Sequence, residues 1–295
     1  MTGKTLPHRH HYIPQVILRN FLDANGGLWF WRRAPNFGAI KVTTPHNLFA
    51  EDNLYTSVGD NGERDVSLER SFAKLESTGA RLIHDLIALV RSGVTPRLND
   101  QAWEFFHYFY YLSGKRSPAW HQRFVSEGEV IAVTKMLAKE RNLDEASIAL
   151  PSDPEERDRV LTNARVAAQS MGPPEDLLAI MRDRGIAIYV APARASFILG
   201  DHPTASARIE HEALQGGSGR VPFMPISFDV AVGYIRQRRI VRVMHLTRPQ
   251  LRVMNEAMAR QSEMIAGRSR ALIRSLSEIG YKTPDYFTTS HYLDE

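Results

Sequence analysis

Gly185-Ile-Ala-Ile-Tyr-Val-Ala191 is the stretch at which this 295-residue chain stops reading as helix and begins to read as sheet. A short apolar run bounded by turn residues is the pattern of a strand. Ser196–Leu199, Arg220–Ile226, Val230–Ile235 and Val241–Leu246 repeat it, which predicts a C-terminal antiparallel sheet. Thr247 is placed as an N-cap with Pro249 in the first turn, so a long C-terminal helix is expected to run to about Leu276. Residues 281–295 read as a polar tail.

Upstream of the switch the periodicity is helical. Val66–Arg91 places Leu68, Phe72, Leu75, Leu82, Ile83, Leu86 and Ile87 on one face, and Gly93 and Pro96 end it. Asp100–Leu112 is apolar almost all round, with Trp103, Phe105, Phe106, Phe109, Tyr110 and Tyr111, and is expected as a central buried helix. Pro118–Asn142, Pro154–Met171 and a short helix from Pro173 to Arg184 follow. At the N-terminus, Pro14 opens a short helix over Gln15–Phe21, and Leu28–Arg33 with Ala39–Thr43 forms a hairpin around Asn36-Phe-Gly38. Pro151–Pro154 is the candidate linker, but the flanking pieces are short. Residues 1–295 therefore read as a single α+β domain: a largely helical middle, an N-terminal β-hairpin, a C-terminal antiparallel sheet and a long C-terminal helix.

Hydrophobic residues make up 43% of the chain and charged ones 24%, a globular balance. There is no cysteine, which removes disulfides, thiolate nucleophiles and Cys-ligated metals, and fits the cytoplasm. No apolar run approaches the ~20 residues that span a bilayer; the best, Ile83–Val90, carries Asp85. Charge is unevenly spread. Residues 219–275 hold eleven arginines and no lysine against Asp229, Glu256 and Glu263, a footprint for an anionic partner such as RNA or DNA. Motifs of the commonest nucleotide-binding, serine-hydrolase and zinc-protease designs are absent.

Four stretches carry a resemblance: His11-Tyr-Ile-Pro-Gln-Val-Ile-Leu-Arg-Asn-Phe21, Arg116-Ser-Pro118, Phe197-Ile-Leu-Gly-Asp-His-Pro203 and Pro222-Phe-Met-Pro-Ile-Ser227. Asn255 on the last helix is a weaker fifth. Together they resemble a bacterial family known as domain of unknown function 4238, from about His11 to Leu276. Gly200-Asp-His-Pro203 stands where the family has Ser-Asp-Asn-Pro, and Arg116-Ser-Pro118 where it has Arg-Thr-Pro. The resemblance implies a fold and marked positions, not an activity.

The residues that could carry chemistry are few. His11 can ligate a divalent ion or shuttle a proton, or simply pack; His8 and His10 read as a solvated terminus. Asp201 ends an apolar strand ahead of proline, where a carboxylate can serve a site or an Asx-turn. Arg116 can grip phosphate bidentately or cap the preceding helix. Glu104 and His107 share a helix face and read as a buried Glu–His hydrogen bond. Arg252 and Arg270 fall on one side of the expected C-terminal helix, and Arg19 lies in the N-terminal motif; these three are the candidate substrate-binding residues. The leading expectation is a metal-assisted hydrolase, a phosphodiesterase or nuclease, in which His11 and Asp201 hold Mg, Mn or Zn and Arg116 binds phosphate; no organic cofactor is indicated. The alternatives are a non-catalytic nucleic-acid-binding or regulatory module, and a small-molecule binder walled by the Trp103–Tyr111 aromatics.

Overall fold

The computed structural model describes residues 8–33, 38–118, 150–214 and 217–282, with a few positions between 128 and 135. Nearly all of the helix expected over Pro118–Asn142, most of the Asn36–Gly38 turn and the tail beyond residue 282 lie outside the described residues. Strand β1 (Arg9–His11) leads through Pro14 into α1 (Gln15–Arg19), then the hairpin β2 (Leu28–Arg32) and β3 (Lys41–Thr43). A 3-10 turn at Pro45–Asn47 precedes β4 (Ala50–Asp52) and the small hairpin β5 (Ser57–Val58) and β6 (Arg64–Asp65). Among the described residues four helices follow: α2 (Ser67–Arg91), α3 (Asp100–Lys115), α4 (Pro154–Ser170) and α5 (Glu175–Arg182). The C-terminal part runs β7 (Gly185–Val190), β8 (Leu199–Gly200), β9 (Ala205–Glu210), β10 (Ser218–Pro225), β11 (Val230–Ile235), β12 (Val241–His245), α6 (Arg248–Gln261), β13 (Met264–Gly267) and α7 (Arg270–Lys282).

The strands build two main sheets, ordered β12-β7-β11-β10-β9 and β3-β2-β13-β8. The fold is α+β, as the sequence predicts, with three differences in detail. First, β12 runs parallel to β7, so the larger sheet is mixed. Second, β9 joins as an edge strand that the sequence reading passes over, although Ala205, Ala207 and Ile209 are buried in strict alternation with exposed Ser206, Arg208 and Glu210. Third, the long C-terminal helix is two helices. Helix α6 is started by Thr247, whose side chain accepts from the Gln250 amide in a capping box. It stops where Ser262 turns extended, and Met264–Gly267 threads between β2 and β8 as a fully buried strand. A four-residue apolar run fits a helical wheel and a buried strand equally well.

Helices α2 and α3 cover one face of the larger sheet. Leu82, Ile83, Leu86, Phe105, Phe106 and Phe109 face Met224, Ile226 and Val232 across an apolar gap of only about 50 Å³. The helices pack closely because residue 79 is glycine: a Cβ there would lie 2.5 Å from the Phe105 ring. Helix α3 is not buried all round. Trp103, Phe106, His107 and Phe109 face inward while Tyr108 is exposed.

The N-terminal strand is fastened to this helical layer by Arg116, the C-cap of α3. Its side chain is only 2% exposed. It donates to Glu76 Oε1 at 2.7 Å, to the His11 carbonyl at 2.8 Å and to the Tyr55 hydroxyl at 3.3 Å, and it lies 4.2 Å from the centre of the Phe72 ring. Truncating one partner of a buried ion pair strands the other. Arg116→Ala should therefore cost about 3–5 kcal/mol in urea unfolding, whereas Arg91→Ala, which breaks the exposed pair with Asp229, should cost under about 1 kcal/mol. Equal, small losses from both substitutions would contradict this role.

Candidate functional site

In the four-stranded sheet Arg32 is opposite Met264, and Ile265 is opposite Gly200. The next pair in that register is Met264 with Asp201, whose amide donates to the Met264 carbonyl at 2.9 Å. Residues opposite one another across a sheet share a face. Arg32, Met264 and Asp201 therefore form one row on one face. The row beside it, Trp31, Ile265 and Gly200, points the other way and is closed by α6: a Cβ at Gly200 would lie 2.1 Å from Ser262 Oγ.

The Arg32 face is the floor of a cavity of about 380 Å³, within the usual size range of ligand sites. Phe30, Arg32, Lys41 and Met264 rise from the sheet; Arg9 and the segment Asn47–Ala50 form the wall. Arg9 is already held by Asp52 at 3.7 Å and by the carbonyls of His46 and Asn47. Arg32 and Lys41 are exposed. Phe49, in the wall, is a bulky residue at φ 53° and 1% exposed. That left-handed backbone is strained for a non-glycine residue and is maintained by packing against Tyr12, edge-on at 5.9 Å between ring centres.

Asp201 closes the row. Its Oδ1 accepts from the Glu263 amide at 3.2 Å. Burial raises its carboxyl from the ordinary aspartate value to about 6, against the opposing pull of amide hydrogen bonds from Met264 and Glu263 and with a contribution from the Glu263 charge. The Tyr12 phenol, itself pushed up by burial, feels Asp201 and Glu51 as repulsive charges and Arg32 as an attractive one. The Tyr12 phenol thus lies within electrostatic reach of Asp201, Glu51 and Arg32.

The sequence candidates divide sharply. Along the N-terminal strand His10 and Tyr12 are buried while His11, between them, is half-buried, as alternation requires. The His11 ring turns away from Tyr12 and Asp201, with Nε2 3.1 Å from the Pro45 carbonyl and Nδ1 3.4 Å from Gln15. Burial lowers its pKa. His11 thus contacts Pro45 and Gln15, while Asp201 contacts Met264 and Glu263, and among the described residues no hydrogen bond joins the two. Among the described residues no three His, Asp or Glu side chains come together as a metal site. Arg116 meets the backbone of His11, not a cleft, so its expected phosphate grip is replaced by the buried contacts described above. His10, read as part of a solvated terminus, is fully buried; its Nδ1 accepts from the Tyr55 amide and its ring stacks on Tyr55.

The arginines expected on one helix are separated by β13. Arg252 is bound to Glu256 and Ser275, and Arg270, at the start of α7, lies over Trp29. Arg19 donates to Gln15. Glu104 pairs with Arg182 through two 2.9 Å bonds, while His107 meets the Tyr234 hydroxyl, so the Glu–His bond does not form. Of the α3 aromatics, Phe105, Phe106 and Phe109 line the 50 Å³ gap, while Trp103 borders a separate cavity of about 180 Å³ with Glu104, His107 and Arg239. Asn255 acts through the backbone: it donates to the Ser196 carbonyl and accepts from the Ile198 amide, fixing the chain that delivers Asp201. Arg32, Lys41, Tyr12 and Glu51 were missed because the row containing Arg32 and Asp201 exists only once β13 is recognised as a strand.

A family model described as a protein of unknown function, DUF4238, matches residues 9–269, and the chain belongs to that family. No curated protein and no solved structure matches it. No helix among the described residues is long and apolar enough to cross a membrane.

A carboxyl that is harder to ionise in the folded chain than in the unfolded one lowers stability as it loses its proton. Stability carried by Asp201 is full below pH about 4 and is lost as pH rises through about 6. Asp201→Asn keeps an acceptor for the Glu263 amide and removes the charge. The variant should gain about 2–3 kcal/mol on wild type between pH 4 and 7, read from urea unfolding at each pH. Parallel pH curves would contradict the shift.

Proposed function

We propose that this member of the DUF4238 family hydrolyses phosphate esters, phosphodiesters above all, on the Arg32–Met264–Asp201 face. The observation that carries the reading is that Asp201 shares one row of one sheet with Arg32, which together with Lys41 borders a cavity of ligand size. Arg32 and Lys41 bind the phosphoryl oxygens and meet the charge that builds on them in the transition state. Asp201, with a pKa of about 6, is mostly ionised at neutral pH and basic enough to take a proton from water. That water forms the new phosphorus–oxygen bond as its proton passes to Asp201; the bond to the leaving oxygen breaks with its electron pair going to that oxygen, which takes up a proton from solvent, and Asp201 returns its proton to solvent.

The test is hydrolysis of bis(p-nitrophenyl) phosphate and of oligonucleotides, with and without Mg, Mn or Zn. Activity should rise with pH around a midpoint near 6. Asp201→Asn should lose roughly 100-fold or more in kcat, as removal of a general base does. Arg32→Gln should raise KM and also lower kcat, because the guanidinium meets charge that builds only in the transition state. Wild type inert on every substrate and ion, or an Asp201→Asn variant of undiminished rate, would sink the proposal.

A further inference from the structure

The larger sheet carries a second basic feature at its far end. In the β9–β10 ladder Arg208 stands directly opposite Arg220. Three residues further along the antiparallel register that pairs Phe223 with Gly233, Arg220 comes opposite Arg236, just past the end of β11. One residue beyond the pair Gly185 and Ile235, Arg236 comes opposite Arg184. Arg208 and Arg220, on β9 and β10, and Arg236 and Arg184, just past β11 and just before β7, thus gather at one end of the sheet, where neighbouring strands are about 4.8 Å apart. Arg184, Arg220 and Arg236 border a single cavity of about 310 Å³, whose other lining includes Leu214, Pro222 and Tyr234.

Like charges directly opposite on a sheet repel and lower stability. In the adjoining β11–β12 turn, by contrast, Arg238 pairs with Asp183 and Arg239 with Asp100. No carboxylate among the described residues pairs with Arg184, Arg208, Arg220 or Arg236, and Glu210, on the same face of β9, makes no ion pair with them. A row of uncompensated guanidiniums that costs stability calls for an anion outside the chain. A string of phosphates supplies charge at repeated intervals, and guanidinium matches phosphate bidentately. The partly apolar cavity beside the row fits a base that has left its stack, which a duplex does not offer.

We propose that this row binds the phosphodiester backbone of a single-stranded nucleic acid, with an unstacked base in the adjoining cavity. The site is separate from the Asp201 face. The row lies at the end of β11 that follows Ile235, and the other end, near Phe228, is the one that meets Asn20 and Phe197. Roughly 20 Å of strand separates the two ends. The inference does not depend on Asp201 being catalytic.

The experiment is fluorescence anisotropy of a labelled, mixed-sequence single-stranded oligonucleotide across a salt series, using the full chain. If all four arginines engage phosphate, wild type should bind with a log–log salt slope of about −2.8, at about 0.7 per phosphate. The double variant Arg220→Gln/Arg236→Gln should bind more weakly and flatten the slope by about 1.4. Its melting temperature should hold or rise, because two mutually repelling charges are gone; weak binding in a variant that melts earlier would instead reflect a damaged fold and overturn the assignment. Asp201→Asn should bind as wild type does, whether or not the hydrolase reading survives. Absence of wild-type binding at low salt, unchanged binding by the double variant, or displacement of the oligonucleotide by polyglutamate in preference to the same sequence unlabelled would each overturn the proposal, the last in favour of an acidic protein.

Discussion

Everything near the candidate site depends on the buried guanidinium of Arg116. A charge removed from water must find partners in fixed positions, and Arg116 finds them on three separate segments: Glu76 on α2, Tyr55 after β4, and the carbonyl of His11. The last contact fixes the N-terminal strand against the helical layer. Strand β1 then pairs with β4, from Arg9 opposite Asp52 to His11 opposite Ala50, and the next residue, Tyr12, bonds the Phe49 carbonyl and extends over the sheet face towards Asp201. A buried core interaction thus helps hold Tyr12 and the Phe49 wall of the pocket in place.

The two sheets handle charge in opposite ways. On the smaller one, Arg32 and the part-buried carboxyl of Asp201 lie in one row of the same face. Burial dominates at Asp201 and raises its pKa towards neutrality. On the larger one, charges of a single sign stand side by side, Arg208 opposite Arg220, at a cost in stability that folding alone does not require. Both arrangements depart from what packing would choose. Local departures of this kind are expected at functional sites, where stability is exchanged for chemistry or recognition.

Much of the fold was legible in the sequence, because long amphipathic helices and apolar strands declare their period. Helix α2 begins within one residue of its expected start and ends where expected, and β11 spans the expected Val230–Ile235. The site was less legible for a specific reason. Asp201 was singled out from its position at the end of a strand, but its neighbours across the sheet depend on Met264–Gly267, whose four apolar residues fit a helix as well as a strand. Reading them as helix hid the row to Arg32 and placed Arg252 and Arg270 on a stripe that does not exist. The family-marked Arg116 and Asn255 proved to be scaffold for the same reason that made them conspicuous: each is a polar side chain buried with its hydrogen bonds satisfied. Chain segments far apart in sequence supply those bonds, so no local pattern could tell scaffold from site.

The central claim is that Asp201 is a poised acid sharing its face with an anion pocket. The most direct measurement is a carbon-13 NMR titration of the Asp201 carboxyl, assigned with Asp201→Asn, without and with inorganic phosphate. The account predicts a midpoint of about 6 in the free protein. With phosphate bound at Arg32 and Lys41 the midpoint should move higher, because a nearby anion disfavours the carboxylate. A midpoint in the ordinary aspartate range, unmoved by phosphate, would contradict it.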